Sequence, residues 1–185
     1  MQASMAARPE TVDLHRFDDD GRIPNNPVLP LVIYRHVLGP KGDLAAGFEE
    51  AFSANGWRGG WRNGIYRYHH YHSTAHEVLG IARGTARVRL GGERGATLTV
   101  EAGDVVVIPA GVGHKNLEAS PDFLVVGAYP EGQEADLRTG EPGERPRVLE
   151  NISRVPPPAA DPVYGRGGPL TDHWRPSAEA GPPAG

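Results

Sequence analysis

Cysteine is absent from the 185 residues. Disulfides and thiolate metal sites are thereby excluded, and the expected compartment is a reducing cytoplasm. Long apolar runs are also missing. None approaches the roughly 18 residues that a membrane helix needs, so no membrane association is expected. Met1–His15 contains no continuous apolar run at all, and a secretory signal is not expected there. Charge of one sign is not in large excess: 19 Lys and Arg stand against 23 Asp and Glu, for a formal net charge of −4 with histidines neutral. The basic residues are scattered and form no stripe of the kind that binds nucleic acid. What the chain has in quantity is glycine, 25 residues, and proline, 18 residues. That composition favours many turns and short strands over a helical bundle. The length fits one domain.

The chain divides into three stretches. Residues 1–15 read as a disordered leader, 16–150 as the folded domain, and 151–185 as a Pro- and Gly-rich tail, partly docked and disordered over its last ten residues. Asp18-Asp19-Asp20-Gly21 lacks the alternating acids and later Glu of a calcium loop, and reads as a solvated turn. Leu29–Val37 reads as a first strand. A single helix is predicted from about Leu44 to Asn55, where Leu44, Phe48, Ala51 and Phe52 form one apolar stripe. Asp43 is placed to cap it, and Gly56 to end it. From Gly64 to Tyr129 short strands alternate with Gly-rich turns, the pattern of an all-β barrel or sandwich. They fall near Ile65–His72, Glu77–Ala82, Thr85–Leu90, Ala96–Val100, Val105–Ile108 and Phe123–Ala128.

Five of the eight histidines lie between His69 and His114. Side chains alternate faces along a strand, so His70 and His72 should share one side with Tyr66 and Tyr68. Glu77 opens the next strand close to them. His114 follows the turn Pro109-Ala110-Gly111-Val112-Gly113, which can deliver it to the same mouth. Three imidazoles and a carboxylate suit one divalent ion of iron, manganese, nickel, cobalt, copper or zinc. Tyr66 and Tyr68 read either as packing residues or as pocket-lining hydrogen-bond donors. Leu79 and Ile81 should face the same interior. His76 precedes Glu77 and should face away from it, with a role at most in orienting a ligand. His15, His36, His69 and His173 read as structural, and Arg87, Arg89 and Lys115 as surface residues.

These residues resemble the two motifs of the cupins. Gly64, His70, His72, Glu77 and Gly84 match G-x5-H-x-H-x4-E-x6-G. Gly103, Pro109, Gly111 and His114 match G-x5-P-x-G-x2-H-x3-N, with Glu118 standing where the motif ends in Asn. Within the cupins the chain is most similar to the YjlB-like group, over roughly residues 15–175. The segments that carry this are Ile23-Pro24-Asn25-Asn26-Pro27, Asn63-Gly64-Ile65-Tyr66, His69–Glu77, Gly111–Asn116 and Asp161-Pro162-Val163-Tyr164-Gly165. The resemblance implies a single jelly-roll (double-stranded β-helix) barrel with its core at 64–129, one N-terminal helix, an extended C-terminal tail and a metal held by His70, His72, Glu77 and His114. It implies no particular substrate. Barrels of this kind often pair through an outer sheet, and Leu29–Val37 reads as an edge in need of cover, so a homodimer is expected.

With four protein ligands, up to two positions of an octahedral shell stay open. A compact anion or diol that binds through two oxygens would fill them. The expected function is an enzyme of oxygenase or of isomerase/lyase type acting on a small organic molecule. The alternative is a non-catalytic, metal-dependent binding or sensing module. A metal-free sugar-nucleotide epimerase of related fold is disfavoured, because its chemistry needs no clustered ligands.

Overall fold

The computed structural model describes residues 8–175. The expected disorder of Met1–Ala7 and of the last ten residues falls outside the described residues. Nine strands form two antiparallel sheets. The larger has the order β1 (Val12–His15), β2 (Leu31–Tyr34), β7 (Val105–Ile108), β4 (Glu77–Arg83), β9 (Leu124–Pro130) and β3 (Trp57–Asn63). The smaller has β6 (Ala96–Glu101), β5 (Thr85–Leu90) and β8 (His114–Ala119). This is the all-β architecture expected from the sequence.

The central strands of the larger sheet are buried on both faces, which is why they read as unbroken apolar runs such as Leu31-Val32-Ile33-Tyr34 and Val105-Val106-Val107-Ile108. Leu31, Ile33, Leu79, Ile81, Val106 and Ile108 point inward, to pack against Val88 and Leu90 of the smaller sheet. Val32, Tyr34, Val78, Val105 and Val107 point outward into a second core. Helix α1 (Leu44–Ala54) covers that outer face with Leu44, Phe48, Ala51 and Phe52. The Asp43 carboxylate caps it by accepting the Ala46 N–H at 3.1 Å. The helix sits so close that a Cβ on Gly80 would come within 2.6 Å of the Phe48 ring. Glycine is what lets α1 dock on β4.

The C-terminal segment completes the outer core, but it is not simply extended. It contains a 3-10 turn (Pro142–Glu144) and two short helices, α2 (Arg147–Arg154) and α3 (Pro169–His173). Proline misleads here, because it suits the first helical turn: Pro169 opens α3. Trp174 is buried and donates its indole N–H to the Pro30 carbonyl at 2.9 Å. Asp161, wholly buried, accepts from the Tyr34 hydroxyl and from the N–H groups of Val163, Tyr164 and Leu170.

Other differences concern strand limits. Val12–His15, assigned to the leader, forms β1, paired from Val12↔Tyr34 to His15↔Leu31. Consequently β2 lies between β1 and β7 and is not an edge, so the reason for expecting a dimer along Leu29–Val37 does not hold. The strand predicted over Ile65–His72 is replaced by a bent segment with two isolated bridges, His70↔His114 and Tyr71↔Arg138. The true strand lies earlier, at Trp57–Asn63, where Gly59-Gly60 and flanking arginines mask it. Among the described residues no helix is long and apolar enough to cross a membrane.

Candidate metal centre

Four side chains meet at one end of the inner core. Glu77 is the first residue of β4 and pairs with Ile108 of β7. His114 is the first residue of β8 and pairs with Leu90 of β5. The backbones of His70 and His114 exchange two hydrogen bonds, at 3.2 and 2.9 Å, which fixes the ligand segment to β8. His72 lies two residues on, on the same side as expected. Its Nε2 is 3.1 Å from Glu77 Oε2, and the Nε2 of His114 is 3.2 Å from the same oxygen. The ligand atoms of His70, His72 and His114 all lie within 4.8 Å of one another, so these three histidines could hold a metal ion.

The imidazoles are oriented for that task. Each Nδ1 lies against a backbone carbonyl: Tyr68 for His70 at 3.1 Å, Asp136 for His72, and Val112 for His114 at 3.1 Å. A carbonyl can only accept, so each Nδ1 carries a proton, and a ring that is neutral turns the lone pair of Nε2 toward the centre. Burial and the neighbouring His114 push His70 down to about 3. At His72 burial also acts downward, but the charge of Glu77 and its hydrogen bond outweigh it and raise the imidazole to about 9. Burial would raise Glu77, yet His72 and His114 hold it well below the usual carboxylate range. Without metal, Glu77 is therefore an anion paired with a protonated His72. A divalent ion would displace that proton and take over the pairing. The donor set fits such an ion.

A cavity of about 400 Å³ opens above the cluster. Trp61, Tyr66, Leu79, Tyr129 and Leu137 supply its walls. Tyr66 and Tyr68 do not both project into the barrel, as strand alternation predicted. They are 51% and 45% exposed and stack on each other with ring centroids 5.0 Å apart. Tyr66 lines the cavity mouth; Tyr68 packs behind it, outside the lining. Alternation fails because the chain bends before His70. Leu79 lines the cavity, whereas Ile81 lies deeper in the inner core. Sequence reasoning missed Trp61 and Tyr129. The second was within reach: Val125, Gly127 and Tyr129 share a face by period two, had the last strand been extended one residue past Ala128.

His76 faces away from the cluster. It is buried, its Nδ1 accepts the Ala110 N–H at 2.9 Å, and its ring lies 4.8 Å from that of Trp174. The Ile23–Pro27 segment braces the turn before His114 from outside. The Asn25 side chain accepts from Gly113 N–H at 3.2 Å and donates to the Gly91 carbonyl at 3.1 Å, and Asn26 donates to the Ala110 carbonyl at 3.0 Å.

A cupin-domain family profile matches residues 62–122. The chain is 48% identical over 158 residues to "uncharacterized protein YjlB" of Bacillus subtilis, an alignment that covers 85% of this chain and 93% of the relative. Among solved structures it is similar to a DUF861-family protein of Thermotoga maritima, at 25% identity and a TM-score of 0.31, covering 44% of this chain and 86% of the other. An oxalate decarboxylase structure aligns at 15% identity and a TM-score of 0.32, over 75% of this chain and 30% of that one.

Proposed function

Since the chain belongs to the cupins, in the family of YjlB, we propose that it holds one divalent metal ion on His70, His72, Glu77 and His114 and acts on a small organic molecule bound beside that ion. The observation that carries this reading is the convergence of Glu77 and three Nε2 atoms at the floor of a cavity of small-molecule size. The metal would supply Lewis-acid polarisation of a bound oxygen donor, or redox chemistry in the case of a redox-active ion. The chain's own residues do the rest. The three backbone carbonyls hold the imidazoles in register, Glu77 supplies the one negative charge, and Leu79 and Trp61 keep water from the buried side. Three neutral imidazoles, one carboxylate and a divalent ion sum to a single positive charge, which favours a compact anion or a diol that binds as one. An oxygenase or an isomerase/lyase is the activity this site would support.

Elemental analysis of protein purified without a histidine tag tests the reading. About one equivalent of divalent metal per chain is expected, either as isolated or after reconstitution with Fe, Mn, Ni, Co, Cu or Zn. Less than about a tenth of an equivalent with every ion would refute it. Turnover assays of the loaded protein with hydroxy acids, catechols and enediol-forming sugars then separate catalysis from binding alone.

A further inference from the structure

Beyond the metal ligands, the cavity is lined mainly by apolar and aromatic groups: Trp61, Ile65, Tyr66, Leu79, Tyr129 and Leu137. No Lys or Arg lines it among the described residues. The stretches 1–7 and 176–185 contain no Lys, Arg or His either, so no cationic side chain from them can reach it. The one further acid in the lining, Asp136, has its carboxylate engaged already. It accepts the Ser73 N–H at 2.6 Å, the Ser73 hydroxyl and Arg138 Nε at 2.9 Å. Among the described residues that line the cavity, the only positive charge offered to a ligand is therefore the single net charge of the loaded metal centre.

The mouth has a second character. Tyr66 is half exposed and backed by Tyr68 in a near-parallel stack, 15° between ring planes. Leu137, also lining the cavity, is 49% exposed. Deeper in, Trp61 is locked. Its ring occupies the space over Gly127, where a Cβ would come within 2.2 Å, and its Nε1–H donates to the Tyr129 hydroxyl at 3.0 Å. Rigid aromatic faces of this kind bind flat apolar groups with little loss of side-chain freedom. A second negative charge would enter this enclosure without a partner, and burying an unpaired charge is strongly unfavourable.

We propose that the cavity selects singly charged ligands that chelate through two oxygens and carry a flat apolar body, and that it rejects small dicarboxylates. The inference rests on the metal-site reading above and adds the ligand class to it. The chelating oxygens would meet the metal, and the flat body would lie between Trp61 and the Tyr66–Leu137 collar.

The test uses full-length protein loaded with Co(II), whose visible spectrum reports on ligands. It is titrated with tropolone, a flat monoanionic chelator, with oxalate and malonate as small dianions, and with azide as a minimal anion. Metal retention is checked after each titration by gel filtration and elemental analysis. Tropolone is expected to bind at least about tenfold more tightly than oxalate or malonate. Tyr66→Ala and Leu137→Ala should each weaken tropolone severalfold and leave azide unchanged. Oxalate binding as tightly as tropolone, with azide also bound, would overturn the proposed ligand class while leaving the metal site intact. Tropolone affinity unchanged in both variants would overturn the collar. Failure to retain cobalt, or a spectrum insensitive to azide, would instead overturn the metal-site reading.

Discussion

The indole N–H of Trp61 donates to the hydroxyl oxygen of Tyr129 at 3.0 Å. An indole can only donate, so the phenol must accept there, and its own proton is free for another partner. Glu77 is close by: burial, then the nearby Glu77 carboxylate, raise the phenol to about 12, so it stays protonated. A protonated phenol beside the carboxylate that His72 and His114 share would help to steady it. Tyr129→Phe keeps the ring and removes only the hydroxyl. It should weaken metal binding by about tenfold, the lower end of the effect usual for groups that orient a ligand. Competition titration against a chelating dye measures this, and wild-type affinity in the variant would reduce Tyr129 to a packing residue.

Glu77 and His76 adjoin in sequence but face opposite sides. Glu77→Gln removes the only anionic group from the cluster and should lower metal affinity by well over 100-fold. His76→Gln retains an acceptor for the Ala110 N–H and should cost no more than about 10–100-fold, through a small shift of the turn. Isothermal titration of both variants compares them, and equal losses would contradict the face assignment.

His36 straps the N-terminal strand to the barrel. Its ring lies between Glu101, at 2.7 Å, and Glu10, and these two partners raise it to about 9. The folded state therefore holds this proton more tightly than the unfolded chain, whose histidine titrates near 6.5. The stabilisation is fully present below about pH 6.5 and is lost as pH rises through about 9. Both partners are exposed, so the effect should be small and weakened by salt. Hydrogen exchange of the β1 amides should be faster at pH 9.5 than at pH 6 relative to β7. His36→Asn, which tolerates the positive φ of 52° at this position, should abolish that difference.

Asp161 serves four donors with one buried carboxylate. Asp161→Ala strands the Tyr34 hydroxyl and three backbone N–H groups in an apolar setting. A loss of at least about 3 kcal/mol is expected, since each orphaned donor costs about 1–3 kcal/mol. Tyr34→Phe removes one donor and should cost about 1–2 kcal/mol. Urea denaturation gives both values. A loss for Asp161→Ala no larger than that for Tyr34→Phe would mean that the backbone donors find water instead.

How far the site could be read from sequence depended on how local each signal was. His70, His72, Glu77 and His114 were legible because ligand spacing survives changes in local structure: the two histidines share a side even though their segment is a bend. The same alternation failed two residues earlier, at Tyr68, which stays outside the cavity lining because this segment bends and is held by isolated bridges, not by a continuous ladder. The helix at Leu44–Ala54 was legible from its stripe and cap. Strand β3 was not, because Trp57–Asn63 is largely exposed and contains two adjacent glycines, so its pairing with β9 leaves little trace in residue type. The helices of the C-terminal segment were hidden by prolines that break long helices but start short ones.

The placement of that last segment has a consequence for how the protein is made. Asp161, Leu170 and Trp174 seal the outer face of β2, yet they are synthesised long after the strand they cover. Until that segment emerges, Val32, Tyr34 and their neighbours form an uncovered apolar face on an otherwise assembled sheet. The growing chain is exposed to aggregation until Asp161–Trp174 follows the sheet it covers, and a stop before Asp161 would leave His70, His72, Glu77 and His114 in the chain but one wall bare.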